Sequence, residues 1–244
     1  GFELNEDWVN KNIEGIKKVC GIFTAYPDIF IDLITPVDSH MKLYFYQRIF
    51  LRACMRYRYH YCCAPRAFSK TFLSILAMIL RCIFLPGSKV FICAPSKQQG
   101  AKVAKEKVEE ILDKFPLLRK ELVKETYTSG SDYLRLVFKN GSVFDIVAAL
   151  DSQRGGRRSA GIIDECRDHD ADTLNEVVLP LLNVDRRTKA GLLNPSENQQ
   201  AQIYITSAGV RNSYAYERLI EIFENSIITP LTSFSWGCDY RVPL

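Results

Sequence analysis

Apolar residues recur at helical spacing through residues 5 to 34 (Trp8, Val9, Ile13, Ile16, Val19, Phe23), which predicts one or two helices on the outside of a core. The next stretch, Asp38 to Arg56, sets Tyr44, Phe45, Ile49, Phe50 and Ala53 against Lys42, Arg48 and Arg52, and predicts another amphipathic helix. From there strands and helices alternate: a strand at 57–63, a loop, a helix at 70–84, a strand at 88–94 and a helix at 97–114. Residues 126–149 read as a hairpin, with Leu134–Phe138 and Val143–Val147 flanking Lys139-Asn140-Gly141-Ser142, where Asn-Gly is a strong turn signal. A strand at 160–164, a helix around 172–182, a polar loop at 185–200, a strand at 201–206 and a helix at 211–224 follow. This alternation predicts an α/β fold, a mainly parallel sheet flanked by helices on both faces with an N-terminal helical extension. In such sheets ligands bind at the carboxyl ends of the strands.

Two loops at such strand ends carry candidate chemistry. Ala64-Pro65-Arg66-Ala67-Phe68-Ser69-Lys70-Thr71 joins the strand at 57–63 to the helix at 70–84, the layout of a phosphate-binding loop. The standard pattern has glycine where Ala64 and Ser69 stand, whereas Lys70 and Thr71 match it. Main-chain N–H groups and the helix start would hold phosphate, Lys70 would reach its outer oxygens, and the Thr71 hydroxyl would ligate Mg²⁺. Ala and Ser take positive φ poorly, so the missing glycines carry a conformational cost. Read alone, Ser69-Lys70-Thr71 also fits a simple N-cap turn. The second loop follows Ala160-Gly161-Ile162-Ile163, a short apolar strand ending in Asp164-Glu165. There Asp164 would hold the metal and Glu165 would align and deprotonate the attacking water, the division of labour of phosphate-loop hydrolases.

At 244 residues, nearly half of them hydrophobic, the chain can bury the core of one α/β domain. A formal charge of +4 and a pI near 8.6 permit a nucleic-acid partner without requiring one. The eight cysteines lie mostly in apolar runs and form no Cys-x2-Cys pair, so they read as small buried hydrophobes rather than a disulfide framework or a zinc site. Phe72 to Leu85 is too short to span a bilayer, and no signal segment, internal repeat or low-complexity tract is evident. His40, His60 and His169 are scattered; the last reads with Asp170 as a helix cap.

With these residues in view, the chain resembles the ATPase domain of the large terminase subunit, the DNA-packaging motor of tailed bacteriophages. Four features across residues 44 to 209 carry the resemblance. The phosphate loop has Arg66 four residues before Lys70; Gln47, in Tyr44-Phe45-Tyr46-Gln47, is similar to an adenine-reading glutamine. Ser152-Gln153-Arg154-Gly155-Gly156-Arg157-Arg158 precedes the carboxylate strand by about the spacing of the family's Arg-Gly segment, with Arg154 the best match. Ile205-Thr206-Ser207-Ala208-Gly209 is similar to the motif that couples hydrolysis to movement. Each has a plainer alternative: Gln47 as a solvated helix residue, Arg66 as a surface cation, Arg154 in an exposed basic turn, Thr206-Ser207 as the cap of the helix near Arg211.

The resemblance implies Mg²⁺-dependent ATP hydrolysis that moves double-stranded DNA into a procapsid. Arg66 would act in cis and Arg154 in trans on the γ-phosphate, with Gln47 and Ala64 through Thr71 binding nucleotide, Thr71 and Asp164 the metal, and Thr206 and Ser207 coupling. Implied partners are the portal and procapsid, the small terminase subunit, and further copies in a ring on the portal, the isolated chain being allowed as a monomer; no membrane is involved, and the place is the host cytoplasm. The expected division is a helical extension over 1–37, the ATPase core over 38–226 and a connector over 227–244 toward a nuclease domain of which the chain shows no metal site. Rival readings are a helicase-like translocase and a nucleotide-gated binding module with little turnover. Lys102, Lys105, Lys107, Lys114, Arg119, Lys120 and Lys124 form a basic stretch, more readily a solvated face than a DNA contact.

Overall fold

Three short helices fill the N-terminal stretch: α1 (Glu6–Lys11), α2 (Ile13–Ala25) and α3 (Pro27–Ile34). Asn12 leaves the helical region between the first two, and Pro27 opens the third at the position where its missing N–H is no loss. The chain is seen in a computed structural model that describes residues 5–127, 134–148, 157–188, 190–195, 197–239 and 241–242. The helix expected from Asp38 begins only at Phe45, as α4 (Phe45–Arg56), because Tyr44 is extended and its N–H donates to Gln47 Oε1 at 3.0 Å. Arg48 and Arg52 on the polar side of α4 clamp α3 in place. Both Arg52 bonds to the buried Asp28 carboxylate measure 2.7 Å, and Arg48 reaches Asp32 at 2.6 Å.

The alternating elements follow as β1 (Tyr59–Cys63), α5 (Lys70–Phe84), β2 (Lys89–Ala94), α6 (Lys97–Lys114), β3 (Leu122–Tyr127), β4 (Leu134–Phe138), β5 (Val143–Ala148) and β6 (Ala160–Asp164). Helix α7 (Ala171–Thr173) runs on as a π turn and a 3-10 turn to Leu182, and β7 (Ala201–Thr206), α8 (Tyr214–Ile228) and β8 (Ser233–Gly237) complete the chain. The eight strands form one sheet in the order β3-β4-β5-β2-β6-β7-β1-β8. From β5 to β8 every pairing is parallel; β3, β4 and β5 pair antiparallel. The expected hairpin is β4–β5, turning at Gly141 with φ 83°, and β3 adds an edge the periodicity did not announce.

Strand alternation divides the core between two faces. Cys62, Val90, Ile92, Ile162 and Ile203 pack under α4, α5 and α6, whereas Tyr61, Phe91, Cys93, Ile163 and Tyr204 pack against α8 and the turns that follow α7. Gly161 of β6 lies beside Phe91 of β2, where a Cβ would stand 2.4 Å from the ring, so this site admits only glycine without repacking. The stretch Arg66–Phe84 is long and apolar enough to cross a membrane by composition, yet most of it is buried as the central helix of the sheet's first face. On α6, Lys107 and Lys114 both pair with Glu110, at 2.7 and 2.6 Å, the pattern of a solvated helix face.

Within the segment expected as a connector, Ser233–Gly237 is the sheet's edge strand, paired in register with β1. Phe234 and Trp236 give it purchase: the Trp236 indole N–H donates to His60 Nε2 at 3.0 Å, and its ring packs on Phe50 and Phe68.

Candidate nucleotide-binding site

The loop after β1 is anchored at its base by Ala64 N–H donating to Thr206 O at 3.1 Å. Arg66–Phe68 makes one 3-10 turn, and Phe68, fully buried, packs against Tyr46, Phe50 and Trp236. An aromatic peg thus holds the crest of the loop, while Arg66 and Ala67 of the same turn stay exposed. Ser69 adopts φ 64° and ψ 32°, the left-handed conformation that glycine would take most easily, at a cost on the order of 1 kcal/mol. Ala64 has no positive φ, so the other missing glycine leaves no backbone strain.

Lys70 opens α5, where the first N–H groups have no intrahelical partner and the helix dipole favours an anion. Its side chain is buried within the loop. Nζ donates to Ala64 O at 2.6 Å and Pro65 O at 3.1 Å, with Ser207 Oγ at 3.4 Å. One residue on, Thr71 Oγ1 lies 3.2 Å from Asp164 Oδ2 at the end of β6.

Glu165 turns the chain sharply out of β6 with φ 44° and ψ 53°. Its carboxylate accepts from Ser207 N–H at 3.3 Å and lies 3.9 Å from Arg167 Nε. Thr206, next to it on β7, donates its hydroxyl to Ser207 O at 2.9 Å. Ser207, the residue that follows the strand inserted between β1 and β6, therefore touches the lysine through its Oγ and the glutamate through its N–H. Burial first, and then the Glu165 charge, pushes the Asp164 carboxyl up to about 6. A cleft of about 290 Å³ opens between Thr71, Asp164, Glu165 and the turn Ala94-Pro95-Ser96 after β2.

Among the described residues no three His, Cys, Asp or Glu side chains gather to hold a metal. The Thr71 hydroxyl and the Asp164 carboxylate instead make an oxygen pair that fits Mg²⁺, which takes one or two protein oxygens and fills its other places with water and phosphate. Gln47 sits at the start of α4, next to Tyr46, whose ring lies 4.6 Å from that of Phe68. Arg154 falls outside the described residues.

With this geometry in view, comparison with solved structures is informative. An ATPase-domain mutant of the Thermus phage P74-26 large terminase superposes with a TM-score of 0.58 at 20% identity, over 86% of this chain and 85% of that one. The chain has the large terminase ATPase fold. The HK97 bacteriophage large terminase gives 0.59 at 15% identity over 85% of this chain. A large terminase of a thermophilic bacteriophage, in complex with ADP, gives 0.51 at 11% identity over 79%. This chain spans 42% of the HK97 protein and 46% of the same thermophilic-phage large terminase in a second crystal form. No family model matches the sequence, and no curated protein matches it.

Three site features were not read from the sequence. Arg167 donates to Ala208 O at 2.8 Å while facing Glu165 and Asp168, tying the carboxylate turn to the segment after β7. His169 Nε2 lies 2.9 Å from Asp164 O, donating as the neutral ring that burial favours; the cap of α7 is Asp170 alone, accepting from Thr173 N–H. Ser213 caps α8, which starts at Tyr214, so the capping alternative for Thr206-Ser207 fails. A basic residue two positions beyond an acidic pair was the available signal for Arg167.

Proposed function

We propose that this chain is the ATPase domain of a viral large terminase, hydrolysing ATP to drive double-stranded DNA into a procapsid. The approach of the Thr71 hydroxyl to Asp164, with Glu165 alongside, across a cleft at the carboxyl ends of the sheet carries this reading. Lys70 and the loop's main-chain N–H groups hold the phosphates. Thr71 and Asp164 are the residues that would hold Mg²⁺, which supplies charge neutralisation on the phosphates when bound. Glu165 orients the attacking water and accepts its proton at the carboxylate, steadied by Ser207 N–H and Arg167. Gln47 reads the adenine, and Arg66 faces the γ-phosphate in cis.

Arg154 of a neighbouring copy is the finger in trans, a role worth about 10³–10⁵ in rate in related enzymes. Thr206 and Ser207 pass the state of the site to the sheet. The partners on this reading are DNA, the portal of the procapsid, the small terminase subunit and a ring of identical copies in the host cytoplasm. The core on this reading runs from residue 38 through the edge strand β8, with 1–37 its helical extension.

ATP binding with and without Mg²⁺ tests the assignment of the loop. Lys70→Ala is expected to weaken affinity at least about 100-fold under both conditions, equivalent to the loss of about 2.7 kcal/mol. Thr71→Ala is expected to remove the gain that Mg²⁺ brings. Equal ATP affinity in wild type and Lys70→Ala would set the proposal aside.

A further inference from the structure

At the opposite end of α5 from the phosphate loop, eleven residues and about 16 Å along the helix from Lys70, lies a cavity of about 480 Å³. It is bounded by α2, the end of α4, the end of α5 and the loop before β7. Two arginines and one glutamate lie in its wall almost wholly buried: the side chains of Arg81, Arg186 and Glu197 are 1%, 6% and 3% exposed. Arg186 is satisfied, its fork closing on the Glu197 carboxylate and Nη1 donating to Pro86 O at 3.0 Å. Arg81 is not. Its Nη2 donates to Asn198 O at 2.7 Å and stands 3.6 Å from Glu197, but its Nε–H is buried without an acceptor.

Glu197 is the one acidic group among the described residues of the wall, so the buried cluster carries one uncompensated positive charge. Arg56, exposed, adds positive charge to the same wall, and Lys17, exposed and paired with Glu14 at 2.8 Å, lies beside it. A buried guanidinium with neither a full counter-charge nor a full set of acceptors is costly unless something supplies both. Met55, Phe84 and Leu85 give the cavity an apolar side.

We propose that this cavity is a binding site for a small organic oxyanion, whose carboxylate or phosphoryl head accepts from Arg81 and whose body lies against Phe84 and Leu85. The volume is that of a small-molecule pocket and exceeds what a single head group fills. The site is separate from the nucleotide loop and does not depend on the ATPase reading.

The test is thermal stability at constant ionic strength, with inorganic phosphate and benzoate titrated separately against chloride. All proteins carry Lys70→Ala, so that phosphate held by the loop lysine does not contribute. A saturable rise of about 3–6 °C at roughly ten times the dissociation constant is expected with at least one probe. Adding Arg81→Met should abolish it. This substitution leaves Arg186 and Glu197 as a balanced pair and is expected to fold. A Lys17→Ser, Arg56→Ser double change touches only exposed side chains and should raise the saturating concentration several-fold. Benzoate responding alone would assign a carboxylate head, and phosphate alone a phosphoryl head. The proposal is overturned if neither probe stabilises the protein, if the shift survives Arg81→Met, or if saturation is unmoved by the double change.

Discussion

The Gln47 oxygen accepts the Tyr44 N–H that starts α4, and its –NH₂, hydrogen-bonded to the Tyr46 side chain, is the group that reads a base on the proposed function. Glutamate at this position keeps the acceptor and loses the donor. Gln47→Glu is therefore expected to hold stability within about 0.5 kcal/mol while losing preference for ATP over GTP, whereas Gln47→Ala should also cost about 1 kcal/mol as a lost cap. Urea melts beside competition binding of the two nucleotides check this, and full discrimination in Gln47→Glu would rule out base reading. The residue scale is also where the sequence was most legible. Lys70, Thr71, Asp164 and Glu165 meet because residue type and position after an apolar strand constrain each of them. Arg167 and His169 escaped because their partners, Ala208 O and Asp164 O, are main-chain atoms that no side-chain pattern marks.

At the scale of elements, β6, β7, α5 and α6 have the spans their periodicity predicts, since each is long or uniformly apolar. Two edge strands did not. Leu122–Tyr127 mixes charges with apolar residues and is fixed by the next strand, β4; Ser233–Gly237 is rich in small residues and is fixed by β1, distant in sequence. For β8 the fixing contact is His60, wholly buried and held well below the usual histidine range, at about 3, by desolvation. As Nε2 accepts from Trp236, the ring is neutral with its proton on Nδ1, toward Cys54 Sγ at 3.4 Å. The unfolded chain takes up a proton near pH 6.5 and the folded chain does not until about pH 3. Stability from this group is thus full above pH 6.5 and lost as pH falls, at about 1.4 kcal/mol per unit inside that window. Urea denaturation followed by tryptophan fluorescence at pH 7 and pH 5 should show this slope in wild type and a shallower one in His60→Phe. Equal slopes would mean that His60 titrates alike in both states.

For the molecule as a whole, the order β6-β7-β1 places the end of β7 between the acid strand and the loop strand, so Ser207, which follows it, contacts both lysine and glutamate. The parallel class of the sheet was legible from alternation; strand order was not, because it depends on which crossovers the helices permit. Assembly extends the same logic. If Arg154 completes a neighbour's site, mixing Arg154→Ala with Glu165→Ala chains on a portal ring should restore hydrolysis that neither gives alone, one supplying the base and the other the finger. No recovery from chains that still assemble would move the role to Arg157 or Arg158. The central claim, that this site hydrolyses ATP through Glu165, is tested most directly by phosphate release from MgATP by wild type and Glu165→Gln at matched nucleotide occupancy. The account predicts release that needs Mg²⁺ in wild type and falls at least about 100-fold in the variant with ATP affinity retained; turnover at the wild-type rate in Glu165→Gln would contradict it.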